Sequence, residues 1–243
     1  METVLAITEP IFSVLRFCDG EGPQIGEIYE RMDSMFGKIK DVMDFNNPHK
    51  NDYSEIEDII FSLWEKMNTP LQCLAYALSP RFYERVYPEK EAPGGISRKP
   101  PNEDSEVMEG VMEALGRIAD SEHEFKVNDF VMRRGMVALS AVKLDAATME
   151  PIKWWFSYGD QAPNLAARVL SQPISSSSTE RLWSTYGYIH SVKWNKLNVK
   201  TADKLVYIHH NLRLLSMSTD GYKDVAHANW DVDPENSISK GKH

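Results

Sequence analysis

The sequence predicts a mainly α-helical protein. Apolar residues recur at helical spacing through most of the chain, strict period-2 alternation is scarce, and Pro, Gly and Asn clusters break the runs at helix-length intervals. At 243 residues, 42% hydrophobic and 26% charged, the chain is long enough to bury a sizeable core and has a globular composition. It contains nothing close to the roughly 18-residue apolar run of a membrane span. The opening METVLAITEP has an acid at position 2 and no basic stretch, unlike a secretory signal. Two cysteines, Cys18 and Cys73, are too few for a disulfide scaffold or a Cys-rich zinc finger, so a reducing, intracellular setting is expected.

Thr8-Glu9-Pro10 predicts the start of a first helix, with Ile11, Val14 and Leu15 on one side and Asp19-Gly20 as its stop. Pro23 predicts a second start. The stripe Ile25, Ile28, Tyr29, Met32, Phe36, Ile39, Val42 then runs to the breaker Asn46-Asn47-Pro48. Ile56, Ile59, Ile60, Leu63 and Met67 mark a third helix. Thr69-Pro70 opens Leu71–Leu78, which Ser79-Pro80 closes. Residues 88–104 hold four prolines, two glycines and seven charges, which predicts a mobile loop. Val107, Val111, Leu115 and Ile118 mark the next helix, and Phe125–Leu144 a further one. The serine run Ser175–Ser178 before Glu180 suits a helix start, where hydroxyls take up free N–H groups and an early acid faces the positive end of the dipole. A last helix is expected over roughly Thr201–Leu215, with Leu205, Ile208, Leu212 and Leu215 at steps of 3, 4 and 3.

Charge is unevenly spread. Residues 1–150 carry 16 Lys/Arg against 28 Asp/Glu, and residues 151–215 carry 8 against 3. The acidic bulk argues against indiscriminate nucleic-acid binding and leaves one basic segment open to it.

That basic segment is also the densest in aromatics, and its landmarks occur in a recognisable order. They are Trp154-Trp155, Tyr158-Gly159, Pro163-Asn164-Leu165, Ala167-Arg168-Val169-Leu170, Ser175–Ser178, Glu180-Arg181, Trp183-Ser184, Ile189-His190-Ser191 and Asn211-Leu212-Arg213-Leu214. Residues 154–215 resemble the C-terminal dimerisation region of hAT-family transposases, the plant subgroup most closely. Upstream, EPIFSVLRFCDGEGPQIGEIYERM, Trp64, Pro70-Leu71 and Ala77-Leu78-Ser79-Pro80-Arg81-Phe82 resemble the helical segment that follows the family's second catalytic acid. Gln72 and Ser79 stand where the family pattern leads one to expect His and Asn, and Lys193-Trp194-Asn195-Lys196-Leu197 replaces a more arginine-rich stretch.

The resemblance implies a helical remnant of the insertion domain over residues 1–149. A helical dimerisation module follows over 150–215, then a disordered acidic tail over 216–243. Most of the family's ribonuclease-H-like sheet is missing. Glu180 takes the place of the third acid of a catalytic triad whose first two blocks have no counterpart here, so the expectation is a vestigial site and no enzyme. Strand cleavage in this family needs two divalent ions, and one carboxylate cannot hold them. No cofactor is expected. The alternative is a transposition accessory that supplies Glu180 to a partner's active site in trans, and Mg²⁺ enters only there.

The resemblance, together with an excess of large apolar groups, places the dimer interface on Trp154, Trp155, Leu182, Trp183, Leu205, Ile208, Leu212 and Leu215, with burial against the chain's own helices as the plainer reading. Arg181, Lys193, Lys196 and Lys200 are the candidates for weak, salt-sensitive DNA contact, with a solvated basic face as the plainer reading. His190, His209 and His210 are read as structural and no metal site is assigned. Expected partners are a second copy or a related hAT transposase, not a membrane. The family implies the nucleus, and otherwise the cytoplasm.

Overall fold

A computed structural model describes residues 2–20, 24–46, 51–84, 87, 92–95, 97–118, 127, 130–131, 140–159, 162–189 and 198–217. The protein is mainly α, and no strand occurs among the described residues. The chain forms two compact units, Met1–Ile174 and Ser175–His243.

The first unit holds α1 (Glu2–Cys18), α2 (Ile28–Asn46), α3 (Asn51–Met67), α4 (Pro70–Ala77), α5 (Ser105–Ile118), α6 (Ser140–Thr148), α7 (Pro151–Tyr158) and α8 (Pro163–Leu170). Its centre is α4, every residue of which from Cys73 onward is buried. Pro70 sits at the first helical position, and the Gln72 side chain accepts the Thr69 N–H at 2.9 Å, closing the entry. Thus Gln72 has a local structural use.

α2 lies along α4 with Ile28, Met32, Met35, Ile39 and Met43 buried at steps of 4, 3, 4 and 4. Met35 and Met43 take the inner positions expected for Phe36 and Val42. Phe36 turns instead to Phe61 of α3, ring centroids 5.4 Å apart. Tyr29 is clasped between Tyr76, stacked at 5.0 Å, and the edge of Trp64 at 5.7 Å. That contact sets the rotation of α3. Trp64 is buried, whereas Ile59, Leu63 and Met67 of the expected stripe are exposed. α5 packs on α4 through Val107, Val111, Ala114 and Leu115. Gly110 lets the two helices close, because a Cβ there would lie 2.6 Å from the Cys73 sulfur. Asp104 caps α5, accepting the N–H groups of Glu106 and Val107 at 3.0 and 3.2 Å.

Two other expectations change. α1 begins well before Thr8 and runs through Pro10, whose missing N–H leaves the Ala6 carbonyl without its helical donor. The Thr8 hydroxyl caps nothing and donates back to the carbonyls of Val4 and Leu5. The segment expected to be a mobile loop is held against α2 where it is described. Arg98 pairs with Glu30 at 3.0 Å, the Gly94 N–H donates to Asp41 at 2.9 Å, and Pro101 is buried. Pro93 can approach only because residue 37 is glycine: a Cβ would meet the Pro93 carbonyl oxygen at 2.1 Å. Of the helix expected over Phe125–Leu144, Val127, Phe130 and Val131 are described and buried, and α6 opens at Ser140. Of the tail expected over 216–243, Ser216 and Met217 belong to the last helix, which runs to Met217, and the rest lies outside the described residues.

The C-terminal end of α4 is buried, so its last carbonyls need donors from within the protein. Ser79 Oγ donates to Ala75 O at 3.0 Å, Tyr83 Oη to Ala77 O at 2.9 Å, and Trp155 Nε1 to Leu78 O at 2.7 Å. Trp154 Nε1 donates to Val142 O at 3.2 Å, tying α7 to α6, and Tyr158 hydrogen-bonds Asp145 on the same helix. Phe130 touches Tyr83, Trp154 and Trp155 and completes the aromatic cluster.

Trp155→Phe keeps an aromatic ring and removes the donor. Urea unfolding followed by circular dichroism should show a loss of about 1–3 kcal/mol, the cost of an unsatisfied buried carbonyl. Trp155→Ala should cost more, about 3–5 kcal/mol, because it also opens a cavity. Phe at wild-type stability would show that the Leu78 bond carries no weight.

Candidate association surface

The second unit contains α9 (Ser177–Ile189) and α10 (Val199–Met217), packed on each other. α9 starts in the serine run as expected. Ser176 O accepts the N–H groups of Thr179 and Glu180, and Ser175 Oγ accepts the N–H of Ser177 at 3.3 Å. α10 starts two residues before the expected Thr201. Asn198 caps it, its Oδ1 accepting the Thr201 N–H at 2.8 Å and the Thr201 hydroxyl at 2.9 Å. An Asn ahead of a helical run is the signal that would have found this start.

The sequence-predicted interface residues divide into two groups. Trp154 and Trp155 are 1% and 3% exposed and belong to the core of the first unit. They are core residues rather than interface residues, because both indole N–H groups and both rings are already used inside that core. The others lie in the second unit. Leu182 is half-buried. Trp183 is 66% exposed, its ring meeting Tyr186 edge-on at 5.8 Å. Leu205, Ile208, Leu212 and Leu215 share one face of α10 and are 41%, 51%, 60% and 66% exposed. The adjoining side presents the buried Ala202 and Val206. α10 therefore keeps its small residues inside and sets its large apolar ones toward solvent, the reverse of an ordinary surface helix.

Glu180 lies in the first turn of α9 and is exposed, accepting the Ser176 hydroxyl at 3.2 Å. Among the described residues no group of three or more His, Cys, Asp or Glu is placed to hold a metal ion. Of the candidate DNA contacts, Lys200 is exposed at the start of α10. Lys193, Lys196 and the Arg181 side chain lie outside the described residues, as does His190, while His209 and His210 are half-buried on α10. No helix among the described residues is long and apolar enough to cross a membrane.

Residues 134–212 match the model of the hAT family C-terminal dimerisation region. This match supports a relation to hAT-family transposases and a role in protein dimerisation. It begins upstream of Trp154 and runs through α6 to most of α10, so it spans parts of both compact units. The break between units falls after Ile174 and not at residue 150, because α7 and α8 are built into the first core. No curated protein and no solved structure matches the chain.

A second feature is a polar cavity of about 210 Å³ in the first unit, lined by Glu30, Asp33, Tyr76, Tyr87, Arg98 and Asp104 among others. Tyr76 and Tyr87 share a hydrogen bond between their hydroxyls at 2.9 Å, and burial raises the pKa of both, that of Tyr87 to about 12. Asp33 is raised from 3.8 to about 7, by burial of its carboxyl first, then by Asp104, Glu30 and Glu106, with Arg98 opposing. Part of the residue stays open to water, which moderates the effect.

An acid raised on folding is stabilised in its neutral form. The penalty for ionising Asp33 is therefore absent below its ordinary value of 3.8 and complete above about 7. Asp33→Asn should raise the melting temperature at pH 8 and leave it near wild type at pH 4. Equal shifts at both pH values would remove Asp33 as the source.

Proposed function

We propose that the chain works as a transposase-derived protein-association module that joins a second copy of itself, or a related hAT transposase, through the exposed stripe of α10. The observation that carries the proposal is the stripe itself: four large apolar side chains on one helix face, each more than two-fifths exposed, inside a segment that matches a dimerisation family. Burying one Leu or Ile side chain is worth about 1.5–3 kcal/mol. Several such anchors leave a surplus for micromolar association, near −8.2 kcal/mol, after the entropy costs of binding.

The same proposal has the protein acting without strand-cleaving chemistry of its own. Its support is the setting of Glu180, which sits on a helix start where an acid beside the dipole stabilises the helix. A two-metal site asks for several converging carboxylates. The basic edge of the module, with Lys200 and the neighbouring Lys193 and Lys196 in sequence, suits weak phosphate contact, and nuclear residence goes with that reading.

Leu212→Glu puts a charge in the stripe at an exposed position. Sedimentation equilibrium at tens of micromolar should show wild type self-associated and this variant monomeric, with unchanged helicity. A strictly monomeric wild type would end the proposal. For the chemistry, purified protein incubated with supercoiled DNA and Mg²⁺ or Mn²⁺ should leave it intact. Nicking that disappears in Glu180→Gln would instead favour the enzyme-subunit alternative.

A further inference from the structure

α3 has a second apolar stripe. Ile59, Leu63 and Met67 are 61%, 51% and 54% exposed and continue the half-buried Ile56, while burial is concentrated on Trp64. The helix carries Asp52, Glu55, Glu57, Asp58 and Glu65 against a single base, Lys66. α10 has the opposite balance. Beside Leu205, Ile208, Leu212 and Leu215 it carries Lys200, Lys204 and Arg213 against a single acid, Asp203. α1 also exposes Val4, Leu5, Phe12 and Leu15, but it bears both Glu9 and Arg16 and offers a charged partner no comparable preference.

The two stripes also agree in spacing. Their steps are 3, 4 and 4 on α3 and 3, 4 and 3 on α10. Laid parallel, they bring Ile56 level with Leu205, Ile59 with Ile208 and Leu63 with Leu212, with Met67 one residue beyond Leu215. Helices pair in this way when apolar seams are flanked by complementary charge. A pairing of α10 with α10 would instead set two helices of net positive charge against each other.

We propose that, in the self-associated protein, α10 of each copy docks on α3 of the other. This rests on the reading of α10 as an association surface and names what it binds. Where the arrangement closes on a two-fold axis, each copy gives one α10 and receives one, and the contact is made twice. Charge complementarity selects the pairing and the apolar stripes supply the affinity.

The test uses full-length chains in sedimentation equilibrium, with circular dichroism to confirm folding. Leu63→Glu, at an exposed position of α3, should weaken each contact about tenfold and the doubly contacted dimer about a hundredfold, as Leu212→Glu should from α10. Neither variant should dimerise alone at tens of micromolar. An equimolar mixture should form a heterodimer, because one of the two contacts then has both stripes intact. Raising the salt from about 50 mM to about 500 mM should weaken association, because the two helices attract through opposite net charge, and an association indifferent to salt would remove charge as the selector. If Leu63→Glu associates like wild type while Leu212→Glu is monomeric, α3 is not the partner and the proposed function stands. A mixture that associates no more tightly than either variant alone also overturns the pairing. A monomeric wild type overturns both readings.

Discussion

The buried end of α4 constrains everything around it in the first unit. A helix whose last turn is closed to water must find donors for its carbonyl groups inside the protein. Here three side chains supply them at increasing distance along the chain: Ser79 to Ala75, Tyr83 to Ala77, and Trp155 to Leu78. The first two are local. The third reaches across 77 residues and fixes α7, and with it α8, to the helices that precede them. Leu170 and Ala166 can be buried because this bond has brought the chain back. A single indole N–H therefore decides that the front part of the dimerisation-family segment belongs to the first core.

The same constraint explains where sequence reasoning went astray. Trp154 and Trp155 stand in a basic, aromatic-rich stretch, and large aromatics suit a core and an interface equally. Spacing cannot distinguish these fates, because the acceptor that decides between them is a backbone carbonyl far away in sequence. Helix existence was easier to read. Pro70 and Pro80 bracket α4, and the apolar stripe of α2 was visible despite the exchange of Phe36 and Val42 for Met35 and Met43 at its inner face. The rotation of α3 was hidden for a physical reason. The helix is apolar over a wide arc, and the Trp64 contact with Tyr29 selects one side of it. Of the candidate site, the steps of the α10 stripe are visible in the sequence but its exposure is not, because Val206 and Tyr207 are apolar too and only the packing of the helix selects its buried side.

The second unit shows how weakly two helices can bury themselves. Among its described residues, only Ala202 and Val206 are buried hydrophobic side chains. Small cores of this kind rarely hold a fold without added support. Trp183 and the α10 stripe lie outside that core, so the larger part of the apolar surface is available to a partner. In the proposed association the same side chains serve binding and folding, and a partner that covers the stripe stabilises the helix that carries it.

Charge supplies the direction for that association. An apolar stripe alone is indifferent to what covers it, and an exposed one invites non-specific pairing. The chain limits this by segregation. The acids gather in the first 150 residues, densely on α3, and the bases in residues 151–215, where Lys200 and Lys204 border the stripe. Like-charged faces repel and unlike faces attract over roughly a Debye length of 8–10 Å, so the charge pattern acts before the apolar contacts form. Two copies of one sequence then carry complementary faces, and a reciprocal pairing satisfies both at once. In the proposed pairing the composition asymmetry becomes a rule for which faces of two chains meet.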